Sequence, residues 1–158
     1  CTPTQIRRYL NRVSGPFLDR IDIGVEVPRQ DLGMMAAEKS IDEGSFPQTE
    51  QRNSSAVMRA RVMEARARQE KRFADESISY NSQMTRRQIE EYCRLSGEDA
   101  VFLEKVERQQ GISARGHGKI LKVARTLADL DGQAEIGRTQ LAEAIGFQSF
   151  EKKYWGSL

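Results

Sequence analysis

Apolar residues recur at intervals of three and four from residue 54 onward, the spacing that places side chains on one face of an α-helix. Serine or threonine stands at the N-cap position before four of these stretches. The predicted helices begin after Ser54 or Ser55, Thr85, Ser96 and Ser113, with a last short helix around Leu141 that Gly146 ends. The pattern therefore predicts a bundle of about four or five helices.

The first 28 residues follow a different pattern. Thr2 and Gln5 have the spacing of a capping box, which predicts a short helix at the start of the chain. After a break at residues 14–16, residues 21–27 alternate apolar and polar side chains, as a half-buried β-strand does. Because a lone strand is not stable in water, its partners are expected upstream or in another molecule.

The segment between these two parts, residues 29–53, has no clear period. Glycines and a proline interrupt it, and between residues 31 and 50 it carries five acidic side chains and one basic side chain. Such a stretch favours a linker that is partly disordered. The predicted fold is thus mainly α, a helical bundle preceded by a helix, a turn and a strand.

Composition narrows the class of protein. The 158 residues hold 25 Lys and Arg against 23 Asp and Glu, and the mean hydropathy is −0.65, so a membrane-spanning segment is not expected. The two cysteines are too few for a disulfide framework, which favours a reducing, cytoplasmic setting. A net charge of +2 argues against a simple basic nucleic-acid-binding domain.

Arginines are concentrated on the first long helix of the predicted bundle. Residues 51–73 carry seven basic and two acidic side chains, and the candidates for DNA contact are Arg59, Arg66, Arg68 and Arg72. A solvated helix face is one interpretation of this pattern, and contact with DNA phosphates is the other. Aromatic side chains do not interleave with the arginines, which disfavours a stacking platform for single strands.

Two further arginines occupy unusual positions. Arg115 lies in the first turn of the helix that Ser113 caps, where the helix dipole disfavours a cation unless an anion also binds there. Arg20 lies between a tight turn and the predicted strand, flanked by Asp19 and Asp22. From position alone, a solvated Arg115 and a local ion pair of Arg20 remain open interpretations.

Three motifs carry a resemblance to a known family: SGPFLDRID at residues 14–22, SAR at residues 113–115 and KVARTLADL at residues 122–130. In these motifs, and in scattered matches over most of its length, the chain resembles the C-terminal part of the magnesium-chelatase-like AAA+ ATPases, especially the ComM-type branch. The resemblance implies that residues 1–28 end the α/β core, residues 29–53 form a linker, and residues 54–158 form the helical lid.

The same resemblance implies roles for the two unusual arginines. Arg20 falls at the family's arginine finger, which acts in trans on ATP bound by the neighbouring subunit of a ring. Arg115 falls at the sensor-2 position of the lid, in contact with a phosphate of its own or a neighbour's nucleotide. The full-length protein is expected to use ATP and Mg²⁺ as a hexamer and to move DNA by branch migration.

The sequence also departs from what a complete ATPase requires. Nothing in it fits the P-loop pattern G-x-x-x-x-G-K-[ST] or an acidic Mg²⁺-binding motif after a strand. The chain by itself is therefore expected neither to bind ATP well nor to hydrolyse it, and no cofactor is expected for it alone. The alternative is a non-enzymatic helical module that binds DNA or a protein.

Four other side chains are candidate sites of lesser weight. Cys1 matches the last cysteine of a cluster in relatives, but without the other cysteines it predicts no metal site. Cys93 is expected to be a small buried residue. His117 and Arg125 are expected on the surface, although a donor near phosphate and a contact with a carboxylate or ligand, respectively, are open alternatives.

Overall fold

The computed structural model describes residues 2–18, 20–27 and 54–155. Within these ranges the chain forms seven α-helices and a short 3-10 turn at Asn81–Gln83. The helices are α1 (Pro3–Leu10), α2 (Gly15–Leu18), α3 (Ser55–Arg72), α4 (Arg86–Tyr92), α5 (Gly97–Gln110), α6 (Ala114–Leu130) and α7 (Arg138–Trp155). The mainly α fold is thereby confirmed. The predicted linker at residues 29–53 lies outside the described residues, as does Cys1.

The predicted helix starts are confirmed by their N-caps. Each cap side chain accepts a hydrogen bond from a backbone N–H in the first turn, which would otherwise lack a partner. The four caps are Ser54 of α3, Thr85 of α4, Ser96 of α5 and Ser113 of α6. α5 ends at Gly111, which adopts the left-handed conformation with φ 58° that glycine commonly takes at a helix end.

Helix α6 forms the centre of the bundle. It packs against α7, α3, α4 and the 3-10 turn, so nearly every face of it meets another element. Ile120, Ala124 and Ala128, which lie four residues apart on one face, have no exposed surface. The remaining core residues are Phe73, Met84, Cys93, Leu103, Leu121, Ile136, Leu141, Ala144 and Ile145. The apolar face of α6 thus lies at the centre of the core of the bundle.

The strand predicted for residues 21–27 is wrong for the described residues, which contain no β-strand. Ile23, Val25 and Val27 are exposed, at 51%, 62% and 85% of their surface. A strand needs a second strand to accept its backbone hydrogen bonds, and the bundle beside this segment supplies only helices. The alternation of apolar residues is present, but the hydrogen-bonding partner that would make it a strand is not among the described residues.

The last helix is longer than predicted. Gly146 was expected to end it, yet α7 continues through that position to Trp155. A glycine ends a helix when it adopts positive φ, and within the described residues only Gly111 and Gly132 do so. The prediction was wrong because a glycine marks a helix end only through that backbone conformation. The sequence pattern also gave no sign of α2, since it indicates only a break at residues 14–16.

Candidate functional site around the first turns of helix α6

Arg115 lies in the first turn of α6, as the sequence predicted. Ser113 Oγ accepts a hydrogen bond from Gly116 N at 3.1 Å, which fixes the start of the helix beside Arg115. Gly116 is required for this geometry because a Cβ built on it would lie 2.7 Å from Ile112 Cγ2. The Arg115 side chain is exposed at the mouth of a cavity of about 1030 Å³.

That cavity opens between α4, α5 and the first two turns of α6. Four cationic side chains line it: Arg86, Arg115, Lys119 and Lys122. The acidic residues of its lining largely pair with local cations, as Glu90 does with Arg86 at 3.1 Å and Glu104 does with Arg108 at 2.6 Å. Asp22 and Glu107 also line the cavity and lie 3.6 Å from Lys119 Nζ and 2.6 Å from His117 Nδ1, respectively. Arg115 lies beside the N-terminal end of the α6 dipole, and a cation in that position suits an anion.

Arg20 lies in the turn that follows α2. Its backbone N–H donates to Phe17 O at 3.0 Å, and its side chain is exposed. Of the two carboxylates that flank it in sequence, Asp22 lies 3.6 Å from Lys119 Nζ, and Asp19 lies outside the described residues. Asp22 also lines the same cavity as Arg115. The fold thus brings the turn that carries Arg20 to the helix that carries Arg115.

Lys119 makes the connection between these two parts, and the sequence did not reveal it. Its ammonium group donates to Ile21 O at 2.9 Å, and its side chain is only 10% exposed. Lys119 follows Arg115 by four residues, so the two side chains share a face of α6. The only signal in the sequence is this spacing, because the contact joins residues 98 positions apart.

His117 lies deeper than predicted. Its side chain is 45% exposed, and its Nδ1 lies 2.6 Å from Oε1 of Glu107, whose side chain is 18% exposed. This contact joins the first turn of α6 to the last turn of α5, and both residues line the cavity. His117 therefore stays partly exposed at the surface and also makes a contact between helices, which was not expected.

The four arginines of α3 fall into two pairs. Arg59 and Arg66 are exposed, and Arg66 Cζ lies 5.7 Å from the centre of the Tyr80 ring. Arg68 donates to the backbone oxygen of Asp129 at 3.2 Å, and Arg72 forms an ion pair with the Asp129 carboxylate. The inward pair occupies contacts within the protein, so Arg59 and Arg66 are the exposed members of these four candidates.

Asp129 is the centre of a buried polar network between α3 and α6. Its carboxylate accepts hydrogen bonds from both terminal nitrogens of Arg72 and, at 2.8 Å, from Asn81 Nδ2, and it lies 3.0 Å from Arg125 Nη2. Burial acts to raise the pKa of Asp129, but the hydrogen bonds from Arg72 and Asn81 and the charge of Arg125 outweigh it and lower that pKa. The carboxylate is therefore ionised although it is fully buried.

Arg125 was predicted on the surface, and that prediction is wrong. Only 2% of the residue is exposed, and its guanidinium donates to the carbonyl oxygens of Gln133 and Ala134 at 2.7 and 2.8 Å. Arginine is almost never buried unless it is paired, and here Asp129 and two carbonyl groups supply the partners. The i,i+4 spacing of Arg125 and Asp129 was the signal that could have revealed it.

Cys93 is buried, as predicted. It belongs to the core, and burial raises the pKa of its thiol to about 11. At neutral pH the group is therefore a thiol, which is a poor nucleophile. Cys93 therefore packs in the core, and its surroundings do not favour a chemical role.

The residues around the first turns of α6 can also be compared with the ligand sets that hold metal ions. Among residues 2–18, 20–27 and 54–155, no cluster of three His, Cys, Asp or Glu side chains could hold a metal. The guanidinium of Arg115 instead lies beside the N-terminus of α6, whereas the ammonium groups of Lys119 and Lys122 donate to the backbone carbonyls of Ile21 and Ser82. No helix in the described part is both long and apolar enough to cross a bilayer.

Comparison with protein families gives two adjoining matches. Residues 52–148 match the family described as magnesium chelatase, subunit ChlI C-terminal, and residues 1–35 match the family described as magnesium chelatase, subunit ChlI. The first match contains α3 to α6 and most of α7. The second contains Arg20 and the turn that carries it.

Individual relatives agree with this assignment. The competence protein ComM of Haemophilus influenzae is 40% identical over 149 residues, which is 94% of this chain and 26% of the relative. YifB of Escherichia coli is 40% identical over 152 residues, 96% of this chain and 27% of the relative. A protein of Mycobacterium tuberculosis is 29% identical over 148 residues, 94% of this chain and 27% of the relative.

The chain thus spans about a quarter of the length of these curated relatives. The matched lengths cover nearly all of it, and the family match to residues 52–148 alone covers more than half. The resemblance found in the sequence motifs is confirmed: the chain belongs to the magnesium chelatase family, subunit ChlI C-terminal, and is similar to ComM-type proteins.

Proposed function

We propose that this chain is the C-terminal part of an AAA+ ATPase of the ComM type, and that the full-length protein hydrolyses ATP with Mg²⁺ in a hexameric ring. The observation that carries the proposal is the pairing of two arginines in a chain of this family. Arg115 lies in the first turn of α6, and the turn that bears Arg20 is held against the same helix.

Arg115 is proposed to contact a nucleotide phosphate as the sensor-2 residue of the lid. The first turn of α6 supplies a guanidinium together with the positive end of a helix dipole, both of which favour a phosphate. Because Arg115 sits on the central helix of the bundle, a contact with phosphate would act on the packing of the whole lid. Bound Mg²⁺ would neutralise phosphate charge through ligands outside the described residues.

Arg20 is proposed to act as the arginine finger on the ATP of a neighbouring subunit. Its side chain is exposed, as a residue that reaches across a subunit interface has to be. Its guanidinium would stabilise the charge that develops on the transferred phosphoryl group, while Arg115 would report the nucleotide state to the lid. The chain would thus contribute charge and position, and the residues that cradle the phosphates would lie upstream.

The test is a pair of substitutions in the full-length protein. Arg20→Ala should lower kcat for ATP hydrolysis by about 10³-fold or more with little change in nucleotide affinity. Arg115→Ala should lower kcat by about 10²-fold, the usual cost of one preorganised donor. Arg12→Ala and Arg94→Ala are matched controls, since both arginines are exposed and lie between helices outside the site. Unchanged turnover in Arg20→Ala would refute the finger.

DNA is the proposed substrate of the ring, moved by branch migration. The support is the exposed pair Arg59 and Arg66 on α3, which could neutralise two phosphates. The double substitution Arg59→Ala, Arg66→Ala should reduce the slope of log affinity against log salt by about 2. Arg87→Ala with Arg94→Ala is the control that removes two exposed charges outside α3.

The second candidate function is a non-enzymatic helical module that binds DNA or a protein through α3. The observation in its favour is that Met58 and Met63 are exposed next to Arg59, at 51% and 54% of their surface. This function predicts salt-dependent DNA binding by the 158-residue chain and no effect of Arg20→Ala on any activity of the full-length protein. Loss of ATP turnover in Arg20→Ala would exclude it as the sole function.

A further inference from the structure

Lys119 is a nearly buried cation whose hydrogen-bond partner belongs to a distant segment. Its side chain is 10% exposed, its Nζ donates to Ile21 O at 2.9 Å, and the same atom lies 3.6 Å from Asp22 Oδ1. A lysine loses hydration and rotamer freedom when it is buried in this way. The contact with Ile21 helps to offset that cost, and it ties α6 to the segment that carries Arg20.

The segment that Lys119 holds carries Arg20 and is anchored on both sides of it. On the N-terminal side, the N–H of Ile21 donates to Leu18 O at 2.9 Å, and Leu18 is buried. On the C-terminal side, Gln148 Nε2 donates to Asp22 O at 2.9 Å and Gly24 N donates to Phe147 O at 3.2 Å. Lys119 supplies the contact of this set that comes from α6.

We propose that Lys119 positions the Arg20 turn, so that Arg20 moves with the first turns of α6. This inference rests on the function proposed above and names a residue that the function does not include. Arg115 lies one helical turn before Lys119 on the same face of α6. A shift of α6 that follows a phosphate contact at Arg115 would therefore carry Ile21, and with it Arg20. Lys119 would thereby couple the nucleotide that Arg115 contacts to the position of Arg20, which acts on the neighbouring subunit.

Lys122 provides a matched control on the same helix. Its ammonium group also donates to a backbone carbonyl at 2.9 Å, but the acceptor is Ser82 in the 3-10 turn. Both lysines line the same cavity, so their substitution removes the same charge from it. An effect of Lys119 that Lys122 does not share would come from the contact with the Arg20 segment.

The experiment measures ATP turnover of the full-length protein carrying Lys119→Met, Lys119→Arg or Lys122→Met, with Arg20→Ala alongside. Lys119→Met should lower kcat by about ten- to a hundredfold with unchanged KM for ATP, since a displacement of about 1 Å has costs of that order. Lys119→Arg keeps a donor for Ile21 O and should recover most of the loss. Lys122→Met should stay within about twofold of the unsubstituted protein.

A weaker variant keeps the test decisive if Lys119→Met does not assemble. Asp22→Asn removes the charge 3.6 Å from Lys119 and leaves the Ile21 carbonyl, and its side chain is 61% exposed, so the fold should tolerate it. It should lower kcat less than Lys119→Met does, again at unchanged KM. Equal turnover in Asp22→Asn and the unsubstituted protein would then count against Lys119.

The outcomes separate the inference from the proposed function. A loss of turnover in Arg20→Ala together with equal rates for Lys119→Met and Lys122→Met would overturn the role of Lys119 and leave the finger in place. A rise in KM without a fall in kcat for Lys119→Met would also overturn it, because that result points to nucleotide binding. Unchanged turnover in Arg20→Ala would remove the proposed function and the inference with it.

Discussion

The helical bundle, residues 54–155, and the front segment, residues 2–18 and 20–27, are stabilised by different interactions. The bundle buries a continuous apolar core, and the fully buried carboxylate of Asp129 is satisfied by several donors. The front segment leaves Ile23 and Val25 exposed and meets the bundle mainly through hydrogen bonds to backbone groups, such as that from Lys119 to Ile21 O.

The difference shows where each region's conformation is encoded. Apolar burial and helix caps depend on neighbouring residues of the same helix, so the bundle follows its own sequence pattern. The front segment takes its path from the surface it lies on, through contacts such as that of Lys119 with Ile21, which joins residues 98 positions apart. A substitution in the bundle should therefore change global stability, and a substitution at the contact should change local order and activity.

The largest effect on stability is expected at Asp129. Asp129→Ala leaves the buried Arg125 and the largely buried Arg72 without their shared anion, which should lower the free energy of unfolding by about 3–5 kcal/mol. Urea unfolding of the chain, followed by circular dichroism, measures this. Asp75→Ala removes an exposed carboxylate from the turn after α3 and should change the value by less than about 0.5 kcal/mol. Equal effects would show that the network does not stabilise the bundle.

A smaller loss of the stability of the bundle is expected in acid. The pKa of Asp129 in the folded bundle is below its ordinary value of 3.8, so the unfolded chain takes up this proton first. The stability that the carboxylate contributes is present above about pH 4 and is lost as the pH falls through the folded pKa. The urea concentration at the midpoint of unfolding, measured from about pH 6 downward, should therefore decrease once the pH is below about 4. A midpoint that stays level in that range would contradict the network.

Alanine substitution of the two glycines near the start of α6 should change the stability of the bundle in opposite directions. Gly116→Ala places a Cβ 2.7 Å from Ile112 Cγ2 and should destabilise the bundle by about 1–3 kcal/mol through overpacking. Gly118→Ala meets only Ile89 Cδ1 at 3.6 Å, an ordinary contact, and should stabilise it by up to about 1 kcal/mol through helix propensity. Thermal unfolding of both variants tests the pair, and shifts of the same sign would contradict the packing described.

The smallest effect on global stability is expected at the contact between the two regions. Lys119→Met should change the free energy of unfolding by less than about 1 kcal/mol, since its loss frees only a local segment. Amide hydrogen exchange at Gly24, whose N–H bonds to Phe147 O, should nevertheless become faster. Lys122→Met is the control that leaves Gly24 protected. Unchanged exchange at Gly24 in Lys119→Met would show that the segment is held by its other contacts.

Local features of the fold could be predicted from the sequence. Ser54, Thr85, Ser96 and Ser113 act as N-caps because a hydroxyl three residues before a free N–H is a local arrangement. The absence of a strand at residues 21–27 could not be predicted in the same way. Alternation shows which side chains share a face, but it does not show whether a partner strand is present. The prediction at Gly146 failed for a related reason. The sequence does not show whether a glycine adopts positive φ, and a glycine that does not can continue the helix.

The candidate site was predictable in part. Arg115 and Arg20 were recognised from motifs, and their positions at a helix start and a turn follow from local sequence. Lys119 was missed because its acceptor lies 98 residues away, and Arg125 was missed because a mid-helix arginine usually faces solvent. Both side chains contact residues outside α6. The only signals in the sequence were the spacing of Lys119 from Arg115 and the spacing of Arg125 from Asp129.

The most direct test of the account is ATP hydrolysis by rings of mixed subunits of the full-length protein. Subunits with Arg20→Ala are mixed with subunits whose P-loop lysine, expected upstream of this chain, has been replaced. Each variant alone should be inactive, and the mixture should recover hydrolysis, because an intact Arg20 can then face an intact nucleotide site on its neighbour. A mixture of co-assembled subunits that is no more active than either variant alone would contradict a finger that acts between subunits.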